Sequence, residues 1–155
     1  MSVEENKALV RKWIDGGPPP EFVRAMHDSK SPKELAEKTV RNIVVGIFAP
    51  DVLVHVQGAD VNREALIQGN AEMMAAFPDI SFSVEKMAAE GDLVAAVFKV
   101  QGTHTLPYMG IPAVGKKIES RILEMFRIAG GKVVEVWMYA DAASMMQQLG
   151  ITPKQ

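Results

Sequence analysis

The stretches GTH at residues 102–104, MGIP at 109–112 and FRIAGGKVVEVW at 126–137 decide the fold class of this chain. Together they join three strand-like runs through two turns. Because side chains alternate between the two faces of a strand, this arrangement places His104 and Glu124 on strands that face each other. The pattern predicts an α+β protein with a pocket.

The first half of the chain is helical in pattern. Apolar residues repeat at helical spacing over 4–15 and 21–27. The sequence SPKE at 31–34 has the form of a capping box with proline at the first helical position, and the helix that it begins should run to Pro50. A fourth helix is predicted to begin at Asn62, a favoured N-cap residue.

The second half changes to strand-like alternation. Strands are predicted over 80–85, 93–104, 117–128 and 132–139, and Asp141 should cap a final helix. Helices followed by an antiparallel meander are typical of an α+β fold in which a curved sheet wraps around a helical layer. The cone left between sheet and helices is a natural site for a small ligand.

Composition narrows the class of function. The 155 residues fit one domain, 1–155, and the net charge of −2 offers no footprint for nucleic acid or anionic lipid. No apolar run approaches the roughly 18 residues that cross a membrane, and the charged start is unlike a secretory signal. With no cysteine and no close spacing among its three histidines, the chain favours a cytoplasmic protein without a metal site. A small, neutral or weakly charged ligand is expected.

Glu124 carries the sharpest chemical signal. Counting along its strand places it on the apolar face, between Ile122 and Phe126. Desolvation there would raise the pKa of the carboxyl group and make it a general acid or base. The alternative is that Glu124 pairs with an arginine or binds a backbone donor, as buried carboxylates usually do.

Two further residues are candidates for assisting Glu124. His104 ends the apolar face of its strand near the expected pocket mouth, although it could equally hold the following loop by a hydrogen bond. Asp141 lies at a strand end, although its N-cap position explains it without catalysis. The loop 105–115 is either a rim of the pocket or an ordinary connection.

A set of mainly apolar residues is predicted to contact the ligand. They are His55, Met73, Phe98, Ile122, Phe126, Val136 and Met138. His55 could instead be a structural histidine in the core or at an edge, and the methionines could simply fill the core.

The opposite face of the sheet should carry Arg121, Leu123, Trp137 and Tyr139. Exposed aromatic and aliphatic side chains of this size are a liability in a monomer. We therefore predict a homodimer through the outer face of the sheet.

The stretch EGDLVAAVFKVQGTHTLPYMGIPAVGKK at 90–117, with 126–137, Asp141 and QQLG at 147–150, resembles the SnoaL-like polyketide cyclases. These belong to the nuclear transport factor 2-like superfamily of conical α+β barrels, and the resemblance covers most of the chain. It implies N-terminal helices packed into the concave face of a curved, mostly antiparallel sheet. The superfamily includes cyclases, epoxide hydrolases, ketosteroid isomerases, dehydratases and binding proteins, so the fold alone does not decide the function.

The resemblance also implies an altered active site. Met138 stands where the cyclases have their acid/base aspartate, Glu124 replaces an assisting histidine, and Val136 replaces the histidine before the tryptophan motif. Glu124 alone would then transfer the proton, since one positioned carboxylate suffices for an aldol, isomerisation or hydration step. The Asp-Arg-Asp arrangement expected of an epoxide hydrolase is disfavoured because Arg121 should face outward.

Two classes of function therefore remain. The first is a cofactor-free enzyme for a hydrophobic carbonyl or polycyclic substrate, with Glu124 as acid/base and His104 or Asp141 assisting. The second is a non-catalytic protein that binds a small ligand in the same pocket, with an epoxide hydrolase as a weaker alternative. A raised pKa of Glu124 in a ligand-sized cavity would favour the enzyme.

Overall fold

The computed structural model describes residues 1–151, which form five helices and one six-stranded sheet. In chain order the elements are α1 (Val3–Asp15), α2 (Pro20–Asp28), α3 (Pro32–Ile47), β1 (Phe48–Val56), β2 (Ala59–Val61), α4 (Arg63–Ala76), β3 (Ser81–Glu90), β4 (Leu93–Thr103), β5 (Lys117–Ala129), β6 (Lys132–Ala140) and α5 (Ala142–Gln148).

The strands form a sheet in the order β2-β1-β6-β5-β4-β3. Every neighbouring pair is antiparallel except β1 and β6, which are parallel. In the described part of the chain β2 and β3 are the two edges, so the sheet is open and does not close into a barrel. The predicted α+β fold, with helices against a mostly antiparallel sheet, is confirmed.

The long strands β4 and β5 alternate between the two faces as the sequence predicts. On β4 the even-numbered residues from Val94 to Gly102 are buried, and on β5 Ile118, Glu124 and Phe126 are buried while Arg121 is exposed. A one-residue slip would move the apolar side chains into water, so burial fixes the register of these strands.

The start of helix α1 uses a capping box that the sequence analysis missed. The Ser2 side chain accepts from the Glu5 backbone, and Glu5 accepts in return from the Ser2 backbone at 2.7 Å. The capping box predicted at Ser31 is wrong. The Ser31 backbone is not in the extended cap conformation, its N–H donates to Ser29, and its side chain makes no cap hydrogen bond. The predicted proline at the first helical position is confirmed, since helix α3 begins at Pro32, whose fixed φ suits a first turn.

Gly102 brings β4 against the end of helix α4. A Cβ at this position would lie 3.1 Å from the Cβ of Phe77 and 3.3 Å from the Cα of Ile80. Both atoms belong to rigid parts of the chain, so a side chain here would force the strand away from the helix. The nearby Asp79 carboxylate accepts from both the backbone N–H and the hydroxyl of Thr103. These hydrogen bonds hold the end of β4 against the segment that follows α4.

Helices α1, α3 and α4 pack on the inner face of the sheet. Their buried residues include Val10 on α1, Val44 on α3 and Ile67 on α4, which share the core with Val94 and Phe126 of the strands. The helices of residues 1–151 are all too short or too polar to cross a membrane.

Candidate active site

A cavity lies between the inner face of the sheet and helices α1, α3 and α4. It encloses about 610 Å³ of space free of atoms, partly open to solvent, but the centre of a water molecule can occupy only about 60 Å³ of it. Its wall is apolar apart from Asn70, Glu124 and the indole of Trp13. The backbone of Gly16 and Gly17, just after α1, completes the wall.

Glu124 lies on β5, in the wall of this cavity, with only 2% of its surface exposed. Its strand neighbours are Ala96 on β4 and Met138 on β6. Within residues 1–151 its hydrogen-bond partner is the indole N–H of Trp13, which donates to Oε2 at 3.2 Å. No arginine or lysine of the described chain forms an ion pair with Glu124. The structure therefore does not support the alternative in which Glu124 pairs with an arginine.

Burial raises the pKa of Glu124 to about 7, and the hydrogen bond from Trp13 partly opposes the shift. Desolvation dominates because the apolar wall cannot solvate a charge as water does. Near neutral pH the carboxyl group is therefore present in both protonation states. It can accept a proton in one state and donate it in the other, as a general acid/base must.

Trp13 is held in place by the last turn of α1 and by an edge-to-face contact with Phe48, with ring centroids 4.8 Å apart. The helical pattern of residues 4–15 indicates that Trp13 is on the apolar face. It gives no sign of a partner 111 residues away, so sequence reasoning missed this hydrogen bond. Asn70 was missed for a similar reason, since one polar residue inside a helical pattern carries no signal of a cavity.

Replacing Trp13 with phenylalanine should shift the pH dependence of any proton transfer by Glu124. The substitution keeps a ring against Phe48 but removes the N–H that stabilises the carboxylate, so the pKa of Glu124 should rise above its native value. The pH profile of an exchange reaction catalysed by Glu124 should then have its midpoint at higher pH. An unchanged midpoint would contradict the assigned hydrogen bond.

The structure brings four of the predicted ligand-binding residues to the cavity. Met73 of α4, Phe98 of β4, Ile122 of β5 and Met138 of β6 line it together with Glu124. Met138 lies directly across from Glu124 in the β5–β6 pairing, so the position where the resemblance implies an acid/base aspartate is next to the carboxyl group of this chain.

The other predicted contacts lie elsewhere. Phe126 and Val136 are on the inner face but are 0% and 1% exposed and are not part of the cavity wall, because neighbouring side chains cover them. His55 points to the outer face, because its neighbour Val54 takes the inner position on β1. Its imidazole bonds to Glu135 at 2.8 Å and Asp60 at 2.7 Å, and these carboxylates raise the pKa of His55.

His104 does not lie at the mouth of the cavity. It is completely buried and stacks on Phe77 at 5.2 Å between ring centroids. Its Nδ1 accepts from the backbone N–H of Val114, and its backbone pairs with Gly115 and Lys116. His104 therefore has the structural position considered as the alternative, because its ring and backbone hold the loop after β4.

Asp141 is at the start of α5 and is not in the cavity wall. Its side chain accepts from the backbone N–H of Ser144 at 3.0 Å, so the predicted N-cap is confirmed. Because the Asp141 side chain caps α5 and is exposed to solvent, it is not placed to act on a ligand beside Glu124. The described residues also contain no cluster of three or more histidine or acidic groups suited to a metal ion.

Helices packed against one face of an open, mostly antiparallel sheet are the fold of the nuclear transport factor 2-like superfamily. The model of the SnoaL-like polyketide cyclases matches residues 32–149, about three quarters of the chain. The chain belongs to the SnoaL-like polyketide cyclase family. A search of curated proteins finds no match.

Several solved structures are similar to this chain. AclR of Streptomyces galilaeus, a proposed hydroxylase, has 26% identity and a TM-score of 0.73, with 99% of this chain and 86% of AclR covered. IdmH of Streptomyces antibioticus, a proposed polyketide cyclase, has 30% identity and a TM-score of 0.64 over 77% of this chain and 93% of IdmH. TsrD of Streptomyces laurentii has a TM-score of 0.74 at 18% identity, covering 98% and 99%, and supports the fold alone.

Proposed function

We propose that this protein is a cofactor-free enzyme that moves a proton on a hydrophobic carbonyl or polycyclic substrate, in a cyclisation, isomerisation or hydration. One observation carries the proposal: the Glu124 carboxyl group lies in the wall of an apolar cavity, has no ion-pair partner in the described chain, and has a pKa of about 7. A carboxyl group held in this way is tuned for proton transfer near neutral pH. The similarity to IdmH, a proposed polyketide cyclase, is consistent with such chemistry.

The proposed step begins with the ionised form of Glu124. Its oxygen takes a proton from the carbon next to the substrate carbonyl, and the electron pair of that C–H bond forms an enolate. The protonated carboxyl group then returns the proton, either to a different carbon in an isomerisation or to the oxygen formed when the enolate carbon closes a ring. The Trp13 N–H holds Oε2 during both transfers.

Asn70 is the second polar residue in the cavity wall and is proposed to orient the substrate. Its Nδ2 donates to the Leu66 carbonyl at 2.9 Å, which leaves the amide oxygen to accept from a substrate hydroxyl. The narrow free space implies that Met73, Met74 and Met138 change rotamer to admit a ring system. Methionine is suited to this because its side chain is unbranched and flexible.

Hydrogen–deuterium exchange on a bicyclic ketone tests the proposed function without knowledge of the natural substrate. β-Tetralone in deuterated buffer should lose its α-protons faster with the protein than without it, and the accelerated rate should rise with pH through about 7 as Glu124 ionises. Proton NMR measures the rate. Exchange no faster than in buffer alone, at protein concentrations that bind the ketone, would contradict the proposed enzyme.

The second candidate is a non-catalytic binding protein with the same cavity. The small space inside the wall favours it, because a tightly packed pocket can hold a ligand without room for a reacting geometry. Saturable binding of β-tetralone without exchange would support this alternative. An epoxide hydrolase is less well supported, because Arg121 is on the outer face, bonded to Glu85 and Glu119.

We further propose a cytoplasmic homodimer that is formed through the outer face of the sheet. Leu53, Leu123 and Tyr139 are exposed there on three neighbouring strands, at 42%, 44% and 56% of their surfaces. Trp137 lies among them, stacked on His55. An exposed apolar surface of this kind, ringed by charged pairs, is typical of a contact between protein copies.

The substitution Leu123→Glu should convert the dimer into a monomer. It places a charge in the middle of the proposed contact, where burial without a partner is costly, while the exposed position spares the core. Sedimentation velocity at micromolar concentration measures the change, with Val45→Glu on α3 as a control at a similarly exposed site. A native protein that sediments as a monomer would contradict the dimer.

A further inference from the structure

The inner face of β5 carries a second polar group, Ser120, four residues before Glu124. Ser120 is only 4% exposed, and its hydroxyl has no hydrogen-bond partner among the described residues. Ile122 lies between the two on the same face. At the rise of an extended strand, Ser120 and Glu124 are about 13 Å apart.

A second, smaller cavity adjoins the first at Ser120. The two share Met73 and Ile80 in their walls. The second cavity encloses about 250 Å³ of space free of atoms, and the centre of a water molecule can occupy about 20 Å³ of it. Its remaining wall is mostly apolar and includes Phe77, which directly follows α4, and Met145 of α5.

The unpaired hydroxyl of Ser120 needs an explanation. Leaving a buried donor or acceptor without a partner costs about 1–3 kcal/mol. The described residues contain three such atoms, on Asn6, His104 and Ser120, and the one on Ser120 lies in the cavity that adjoins the cavity of Glu124. An alanine here would fill nearly the same space without that cost. A ligand oxygen that reaches the second cavity would supply the missing hydrogen bond.

Helix α5 covers one side of the second cavity through Met145. Strand β6 ends with Ala140 opposite Ile122, so the first residues of β5 have no strand beside them on that side. The Gln148 amide takes the place of the missing strand, accepting from the Glu119 N–H at 2.9 Å and donating to its carbonyl at 2.7 Å. No residue of α5 itself is fully buried, and the helix is held to the core by Met145 and by Leu149, which directly follows it.

We propose that the two cavities form one elongated binding site, in which the Ser120 hydroxyl binds a carbonyl or hydroxyl oxygen at the far end of the ligand. The ligand is elongated and largely apolar, with its reacting carbon at Glu124 and its terminal oxygen at Ser120. Met73 and Met145 turn aside to admit it, since flexible thioether side chains separate and cover the two spaces. The placement of the reacting end rests on the proposed function, whereas the Ser120 contact does not.

Two stilbenes that differ in one hydroxyl test this site by binding alone. Para-hydroxystilbene carries one oxygen, and the symmetric dihydroxystilbene carries two, at its opposite ends. The native protein should bind the dihydroxy compound roughly three- to tenfold more tightly, as one neutral hydrogen bond provides. Isothermal titration calorimetry measures both affinities.

The variant Ser120→Ala should abolish this preference. Because the change removes an unpaired hydroxyl, thermal stability should stay the same or rise, which a structural role for Ser120 would not allow. Ser81→Ala, at an exposed serine on β3, is the matched control and should keep the preference.

The outcomes separate this site from the proposed function. Equal affinities of the native protein for the two compounds, or a preference that survives in Ser120→Ala, would overturn the second cavity as a binding site. Neither result would affect proton exchange on β-tetralone, which does not reach Ser120. No binding of either stilbene to the native protein would overturn the elongated site, while exchange on the smaller ketone would still support Glu124 as the base.

Discussion

Replacing Glu124 with glutamine should reduce the rate of β-tetralone exchange by roughly 10²–10⁴-fold, the usual contribution of a positioned general base. Glutamine keeps the size of the side chain and can still occupy the space beside Trp13, but it cannot take a proton. The affinity for the ketone should change little, because the apolar wall provides most of the contact. Rate and affinity therefore separate the chemical role of Glu124 from a role in shaping the cavity.

Glu119→Gln is the matched control for this experiment. Glu119 lies on the same strand and loses the same charge, but it is exposed on the other face. The Glu119→Gln variant should exchange the α-protons of β-tetralone at the same rate as the native protein. Exchange that continues at the native rate in Glu124→Gln would show that another group is the base and would remove the main support for the proposed enzyme.

The second large effect is a pH-dependent gain in stability in the same variant. Burial raises the pKa of Glu124 from 4.5 to about 7, so between these pH values the folded protein holds a proton that the unfolded chain releases. The free energy of unfolding of the native protein therefore falls as the pH rises through this window. Glutamine is neutral throughout, so the variant should gain about 3 kcal/mol relative to the native protein between about pH 4 and about pH 9.

Urea unfolding of both proteins across this pH range measures the difference. Other titrating groups are common to the two chains and cancel in the comparison. Glu119→Gln should show no comparable gain. A difference between Glu124→Gln and native protein that stays constant with pH would contradict a raised pKa for Glu124.

The sequence predicted correctly which residues of the long strands face inward, because burial of one face requires apolar and polar residues to alternate along the strand. Glu124, Ile122 and Phe98 were placed on the inner face by that rule alone, and the structure confirms it. The same rule placed His104 on the inner face correctly. It could not say how far along the strand the cavity extends, so the predicted proximity of His104 to the cavity was wrong.

What the sequence could not provide is contact between distant elements. The hydrogen bond from Trp13 to Glu124 depends on how α1 crosses the sheet, and no local pattern encodes that angle. His55 was predicted to contact the ligand, but the short alternation Val54-His55-Val56 gives no sign of which face is buried. The three-residue strand β2, which is mostly exposed and contains Asp60, has too little apolar pattern to be predicted at all.

An NMR titration of the Glu124 side chain tests most directly whether this residue is the acid/base of the pocket. Carbon-13 labelling of the glutamate carboxyl groups, with the Glu124 signal assigned by its loss in Glu124→Gln, gives the pKa of this one group. A midpoint of about 7 is expected, far above that of an ordinary glutamate. A midpoint near 4.5 would mean that the carboxylate is solvated or paired, and it would contradict the proposal that Glu124 is the acid/base of this pocket.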